Sequence, residues 1–131
     1  MEHLFAVTAL DGAPGIYSAR YANGQGDAAN NAKLLEALRE VPADRRTARF
    51  YAVIVLLRHA NDPQPLICEG SWEGVILDAP RGSNGFGYNP VFLDPRHGLT
   101  AAEMEPALKN TLSHRALALQ QLKQRLSSIS L

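Results

Sequence analysis

The chain lacks several features that mark specialised classes of proteins. Its one cysteine, Cys68, cannot form a disulfide within the chain, so we expect a reducing compartment such as the cytoplasm. No apolar run approaches the roughly 20 residues of a membrane-spanning helix. The start Met1-Glu2-His3 is unlike the basic start of a secretion signal. We therefore expect a cytoplasmic protein with no membrane partner.

An excess of charge of either sign is also missing. Thirteen basic residues balance thirteen acidic ones, which leaves no basic field to attract a nucleic acid polymer. The chain has 131 residues, of which 46% are hydrophobic, and this suffices for one core. We expect a single domain over residues 1–131 and no nucleic acid partner.

The spacing of apolar residues predicts an α/β fold, with helices packed on a mixed, twisted sheet. Strands are expected at 4–10, 49–57, 66–77 and 91–93, and helices at 28–40 and 107–127. The second strand is predicted to be buried on both faces at its centre, and Gly70 and Gly74 to bulge or bend the third. Asp27 is expected to cap the first helix, and Thr100 and Glu103 to form a capping box.

One loop combines three glycines, Gly82, Gly85 and Gly87, with two aromatic residues, Phe86 and Tyr88. Glycine permits a positive φ and a close approach of the backbone to a ligand. The two rings could fill the core beneath a turn. The glycines leave little side chain for them to pack against, however, so we favour a platform for a planar ligand. No Gly-Lys-Ser/Thr follows, so the loop is not a P-loop.

A second polar group, formed by Lys109, Ser113, His114 and Arg115, lies early in the last predicted helix. These residues could be solvated helix charges. Lys109 and Ser113 would share a helix face with His114 beside it, and three potential cations on one turn repel each other unless an anion or an acceptor-rich ring offsets them. Together with the glycine loop, this group predicts a site for a planar, oxygen-rich, anionic ligand, most simply a nucleotide.

The remaining histidines and carboxylates show no metal-binding spacing. The residues considered are His3, His59, His97, Asp78, Asp94, Glu103 and Glu105. The carboxylates could hold Mg²⁺, although single carboxylates at turns are mostly caps and solvated charges. No Ser/His/Asp or Cys/His nucleophilic set is visible, and Trp72 is more typical of a core or an interface.

Four stretches of the chain match one protein family in the same order. They are Gly-Ala-Pro-Gly-Ile-Tyr-Ser-Ala-Arg-Tyr at 12–21, Gly-Ser-Trp-Glu-Gly-Val-Ile at 70–76, Gly-Phe-Gly-Tyr-Asn-Pro-Val-Phe at 85–92 and Lys-Asn-Thr-Leu-Ser-His-Arg at 109–115. From about residue 6 onward the chain thus resembles the RdgB-like inosine/xanthosine triphosphate pyrophosphatases. The resemblance implies an ITPase-like fold and a Mg²⁺-dependent hydrolase, usually a cytoplasmic homodimer. Such enzymes cleave ITP, dITP and XTP to the monophosphate and pyrophosphate.

The resemblance also assigns substrate binding, residue by residue, to positions that match the family's motifs. They are Phe86, Gly87, Tyr88, Asn89, Lys109, His114 and Arg115. Phe86 is implied to stack on the purine, and Lys109, His114 and Arg115 to contact the substrate near the base. Asn89 is a departure, since the family has an aspartate there and this chain has an uncharged amide.

A larger departure concerns the family's N-terminal motifs: a Thr-Gly-Asn-x-x-Lys phosphate loop, a metal-binding Glu and an Asp-Asp-Ser-Gly sequence. None is in this chain, and the register puts Glu2 at the position of the catalytic aspartate. We therefore expect the fold to lack its first strand and helix, and we leave catalytic and metal-binding residues unassigned. Three hypotheses remain: a pyrophosphatase, a homologue that binds purine nucleotides without cleaving them, and a chain that pairs with another subunit.

Overall fold

The computed structural model describes residues 2–127, with the exception of the Glu2 side chain. Its strands are β1 (Glu2–Val7), β2 (Pro14–Gly15), β3 (Thr47–Leu56), β4 (Leu66–Ile76), β5 (Phe92–Asp94) and β6 (Leu99–Thr100). Its α-helices are α1 (Asp27–Ala37), α2 (Pro106–Leu112) and α3 (His114–Ser127). The predicted α/β class is confirmed.

The six strands form one sheet in the order β2-β1-β3-β4-β5-β6. Every strand pair within residues 2–127 is antiparallel, so the sheet that we expected to be mixed has no parallel pair in this part of the chain. The register sets Phe5 opposite Phe50, and Phe50 opposite Trp72. These rings, together with Phe92, lie buried on the face against which the helices pack.

Strand β3 is buried on one face only. Phe50, Ala52 and Ile54 are buried, whereas Tyr51 is half-buried and Val55 is 56% exposed. The prediction that β3 is buried on both faces at its centre is therefore wrong, because the second face is only half-buried there, at Tyr51 and Val53. Its continuous apolar run arises because Val and aromatic residues also suit the half-solvated face of an antiparallel sheet.

The glycines of β4 do not interrupt the strand. Its register against β3 runs without a break from Leu66 to Val75, so the predicted bulge is wrong. A Cβ atom on Gly70 would collide with the backbone carbonyl of His114, and one on Gly74 would lie 2.7 Å from the ring of Phe92. Glycine is used here for close packing of helix and ring against the strand.

The last predicted helix is two helices, which meet at Ser113. Ser113 has extended backbone angles (φ −66°, ψ 153°), and its hydroxyl oxygen accepts a hydrogen bond of 3.1 Å from the N–H of Ala116. Serine at such a position caps a new helix, which explains the break. The capping box is confirmed: Glu103 Oε1 accepts from the N–H of Thr100 (2.9 Å), and Thr100 Oγ1 from the N–H of Glu103 (3.2 Å).

Candidate active site

The glycine loop presents one aromatic ring to solvent. Gly82, Gly85 and Gly87 all have positive φ, and the side chain of Phe86 between the last two is 70% exposed. A Cβ atom on Gly85 would lie 3.0 Å from Nζ of Lys109 and would clash with the side chain of Asn89. The absence of a side chain at Gly85 therefore lets the loop lie directly on Lys109 and Asn89.

Tyr88 has the opposite environment. It is 5% exposed, its ring stacks on Phe5 with centroids 4.7 Å apart, and its hydroxyl donates to the carbonyl of Ser18 at 2.7 Å. Burial raises the pKa of Tyr88 well above its ordinary value. The expectation of a platform made of both rings is thus corrected, because the Tyr88 ring belongs to the core.

Asn89 lies buried at the end of the loop, with 6% of its surface exposed. Its N–H donates to the carbonyl of Phe86 at 3.2 Å, and its carbonyl accepts from the N–H of Ala102 at 3.2 Å. Asn89 therefore ties the loop to the turn that follows β6.

Lys109 of α2 lies beside the exposed ring, with Nζ 5.9 Å from the centroid of Phe86. Loss of hydration on burial lowers the pKa of Lys109. The structure thus brings together a half-buried amine and an aromatic ring that lie 23 positions apart in the sequence, as the motifs predict.

His114, the first residue of α3, is held by the core. Its ring stacks on Phe50 with centroids 5.0 Å apart and lies 6.0 Å from the ring of His3. Burial, followed by the charges of His3, Lys109 and Arg115, lowers the pKa of His114 to about 4. Its imidazole is therefore neutral at neutral pH, so the expected cluster of three cations is corrected to two.

One atom of His114 is also without a partner. Nδ1 is buried and has no hydrogen-bond partner within residues 2–127. A buried polar atom of this kind costs free energy unless a water molecule or a ligand pairs with it.

Arg115 is exposed and lines a shallow groove of about 410 Å³. The other lining residues are Asn110, Ser113, Ala116 and Leu119. Neither Phe86 nor Lys109 lines this groove. This groove therefore does not join Arg115 to the Phe86 loop.

Sequence reasoning missed two residues that hold the loop, Asp27 and Asn31 of α1. Asp27 is not the N-cap, a position that Gly26 occupies, and its carboxylate instead accepts from the N–H of Gly87 at 2.9 Å. Asn31 donates to the carbonyl of Gly87 at 3.0 Å. No local pattern signals a contact between residues 56 to 60 positions apart.

Three of the four carboxylates considered for Mg²⁺ have other partners. Asp94 accepts from the indole of Trp72, Glu103 binds Arg81, and Asp78 lies 3.4 Å from Arg46. Within the described residues, no three His, Cys, Asp or Glu side chains converge on a point where an ion could sit. The described side chains therefore do not fit a Mg²⁺ site. The catalytic position suggested for Glu2 depends on a side chain outside the described part.

No helix in residues 2–127 is both long and apolar enough to cross a membrane.

Comparison with known proteins identifies close relatives. A "dITP/XTP pyrophosphatase" of Xanthomonas campestris pv. campestris is 75% identical over 126 residues, which are 95% of this chain and 63% of that protein. One of Pseudomonas aeruginosa is 60% identical over 121 residues, 92% of this chain and 61% of the relative. The structure of a HAM1 protein from Coxiella burnetii matches with a TM-score of 0.92 at 47% identity, covering 98% of this chain and 66% of that one.

The chain thus spans a little under two thirds of the length of these curated relatives. A sequence model of the Ham1 family matches residues 3–125, which include the glycine loop, α1 and the Lys109–Arg115 segment. By this match and by the identities above, the chain is a member of the Ham1 family.

Proposed function

We propose that the protein hydrolyses deaminated purine nucleoside triphosphates, ITP, dITP and XTP, to the monophosphate and pyrophosphate. The observation that carries the proposal is the Phe86 ring, 70% exposed on a glycine loop with the Lys109 amine 5.9 Å from its centroid. An exposed aromatic ring binds a nucleobase by stacking, which contributes about 1–3 kcal/mol. Relatives that are 60–75% identical carry the name dITP/XTP pyrophosphatase, which supports this substrate class.

Selection for a 6-oxo purine is assigned to Lys109, His114 and Arg115. Hypoxanthine and xanthine carry an acceptor oxygen at C6, whereas adenine carries an amino donor there. Lys109 and Arg115 offer only donors, and the neutral imidazole of His114 offers one donor and one acceptor. Adenine would leave donors of the site unpaired, at a cost of about 1–3 kcal/mol. Gly87, Tyr88 and Asn89 contribute to substrate binding by shaping the loop that carries Phe86.

We also propose that the reaction depends on Mg²⁺. A bound metal supplies charge neutralisation for the phosphates and activation of a water molecule. Among the described residues, no three His, Cys, Asp or Glu side chains form its site. By sequence register Glu2 falls at the position of the family's catalytic aspartate, and the catalytic residues stay unassigned.

The proposed setting is a cytoplasmic homodimer. Its support is the single buried cysteine, which fits a reducing compartment, and the open face of the sheet, where Val55 is 56% and Ile67 48% exposed. Light scattering after size-exclusion chromatography at several concentrations measures the mass, and a monomer throughout would contradict the dimer.

The activity test follows the products. The purified protein is incubated with dITP or dATP and Mg²⁺, with and without EDTA, and nucleotides and phosphates are separated by chromatography. We expect dIMP and pyrophosphate from dITP, little product from dATP, and none with EDTA. Binding of dITP without cleavage would favour a nucleotide-binding homologue, and release of orthophosphate with dIDP would contradict cleavage at the α-phosphorus.

A further inference from the structure

One helix binds both backbone polar groups of Gly87, the glycine next to the exposed Phe86. The N–H of Gly87 donates to Asp27 Oδ2 at 2.9 Å, and its carbonyl accepts from Asn31 Nδ2 at 3.0 Å. Asp27 and Asn31 are four residues apart and therefore lie on one face of α1. Helix α1 thus holds the loop through two hydrogen bonds, those of Asp27 and Asn31 to Gly87, which are called the clamp below.

The clamp fixes the backbone on both sides of Gly87. Its N–H belongs to the peptide unit shared with Phe86, and its carbonyl to the unit shared with Tyr88. The carbonyl of Phe86 is itself bound by the N–H of Asn89 at 3.2 Å. A loop that is already ordered spares a ligand the conformational-entropy cost of ordering it.

The buried side chain of Asn31 makes this hydrogen bond and leaves its other polar atom unpaired. It is 8% exposed, and its Oδ1 is buried without a hydrogen-bond partner among residues 2–127. An unpaired buried carbonyl is destabilising, so an apolar residue would serve the core of α1 better. What the amide adds at this position is its donor to Gly87.

We propose that Asp27 and Asn31 are positioning residues of the nucleotide site. Without touching the ligand, they hold Gly87 so that the Phe86 ring stands ready to receive the purine. This inference rests on the proposed function, because it takes the Phe86 ring as the base platform.

The test is calorimetric titration of IMP into wild-type protein and into Asp27→Ala and Asn31→Ala variants. Each substitution removes one hydrogen bond of the clamp, and we expect affinity to fall about tenfold. Asp27→Asn keeps an acceptor oxygen and should retain most of the affinity. Since the clamp acts through Phe86, the same substitutions in a Phe86→Ala background should change affinity less than about twofold.

Two controls separate positioning from general stability. Glu36→Ala removes an exposed carboxylate of the same helix, and Leu35→Ala removes a side chain that packs against the core. Within the described residues, neither side chain forms a hydrogen bond with the loop. Leu35→Ala should lower the melting temperature, and both variants should bind IMP like the wild type at a temperature where they are folded.

Hydrogen exchange of the Gly87 amide tests the clamp in the absence of nucleotide. We expect slow exchange in the wild type and fast exchange in Asp27→Ala. Wild-type affinity in Asp27→Ala and Asn31→Ala, or an equal loss with and without Phe86, would overturn the positioning role alone. Failure of the wild type to bind IMP would overturn the proposed function and this inference with it.

Discussion

His114 lies nearly parallel to Phe50, with an interplanar angle of 14° and 5.0 Å between ring centroids. A residue of the candidate site is thereby stacked directly on the aromatic core of the sheet. Burial of the imidazole, followed by the nearby charges of His3, Lys109 and Arg115, lowers its pKa from 6.5 to about 4.

The lowered pKa of His114 predicts a loss of stability in mild acid. Between about pH 6.5 and about pH 4 the unfolded chain binds a proton at this histidine that the folded chain does not bind, so the free energy of unfolding falls as pH falls. The His114→Gln variant lacks this proton uptake. Urea denaturation across that window should therefore show a shallower pH dependence for the variant.

His59 supplies the control for this experiment, because it is an exposed histidine far from the site in sequence. His59→Gln should keep the pH dependence of the wild type. Identical slopes for wild type and His114→Gln would show that the folded state does not disfavour the imidazolium.

Phe86→Ala should weaken nucleotide binding without destabilising the fold. The ring is 70% exposed, so its removal costs little core packing, whereas loss of stacking should reduce inosine nucleotide affinity by about 1–3 kcal/mol. Titration of IMP and thermal melting measure the two effects. Ile16→Ala, which truncates a side chain that is 80% exposed, is the matched control and should change neither. Equal IMP affinity for Phe86→Ala and wild type would refute stacking.

Arg115→Ala should reduce the affinity for inosine nucleotides more than that for adenosine nucleotides, because the guanidinium is a donor suited to a 6-oxo group. Lys123→Ala removes another cation of α3 and should affect neither. Competition titrations with IMP and AMP give the ratio of the two affinities for each variant. A uniform loss of affinity for both nucleotides would indicate that Arg115 binds phosphate. The comparison can decide between base and phosphate, because Arg115 lines a groove that includes neither Phe86 nor Lys109.

Asp94→Ala should destabilise the fold by about 3 kcal/mol. The residue is fully buried and accepts hydrogen bonds from the indole of Trp72 (3.0 Å) and the N–H of Arg96 (2.9 Å). Removal of the carboxylate leaves both donors unpaired, at about 1–3 kcal/mol each. Asp94→Asn keeps an acceptor oxygen, so its free energy of unfolding, measured by urea denaturation, should fall less. If Asn proved as harmful as Ala, the negative charge would matter more than the acceptor.

The sequence by itself determined the main elements and the two halves of the candidate site. Strand propensity located β3 and β4, and the Thr100–Glu103 spacing predicted reciprocal hydrogen bonds that the structure contains. The glycines and Phe86 identified an exposed ring. These features are local, because alternation, turn chemistry and capping depend on residues within a few positions of each other.

Tertiary structure decided the rest. Phe86 and Tyr88 flank the same glycine, yet one ring is exposed and the other is buried because only Tyr88 faces the ring of Phe5. The spacing of apolar residues continues through Ser113, so it gives no sign that a new helix begins there. The hydroxyl of Ser113 caps that helix in the structure. The hydrogen bond between Asp27 and Gly87 joins residues that are 60 positions apart in the sequence. Such contacts depend on how the finished elements pack, which no local pattern in the sequence records.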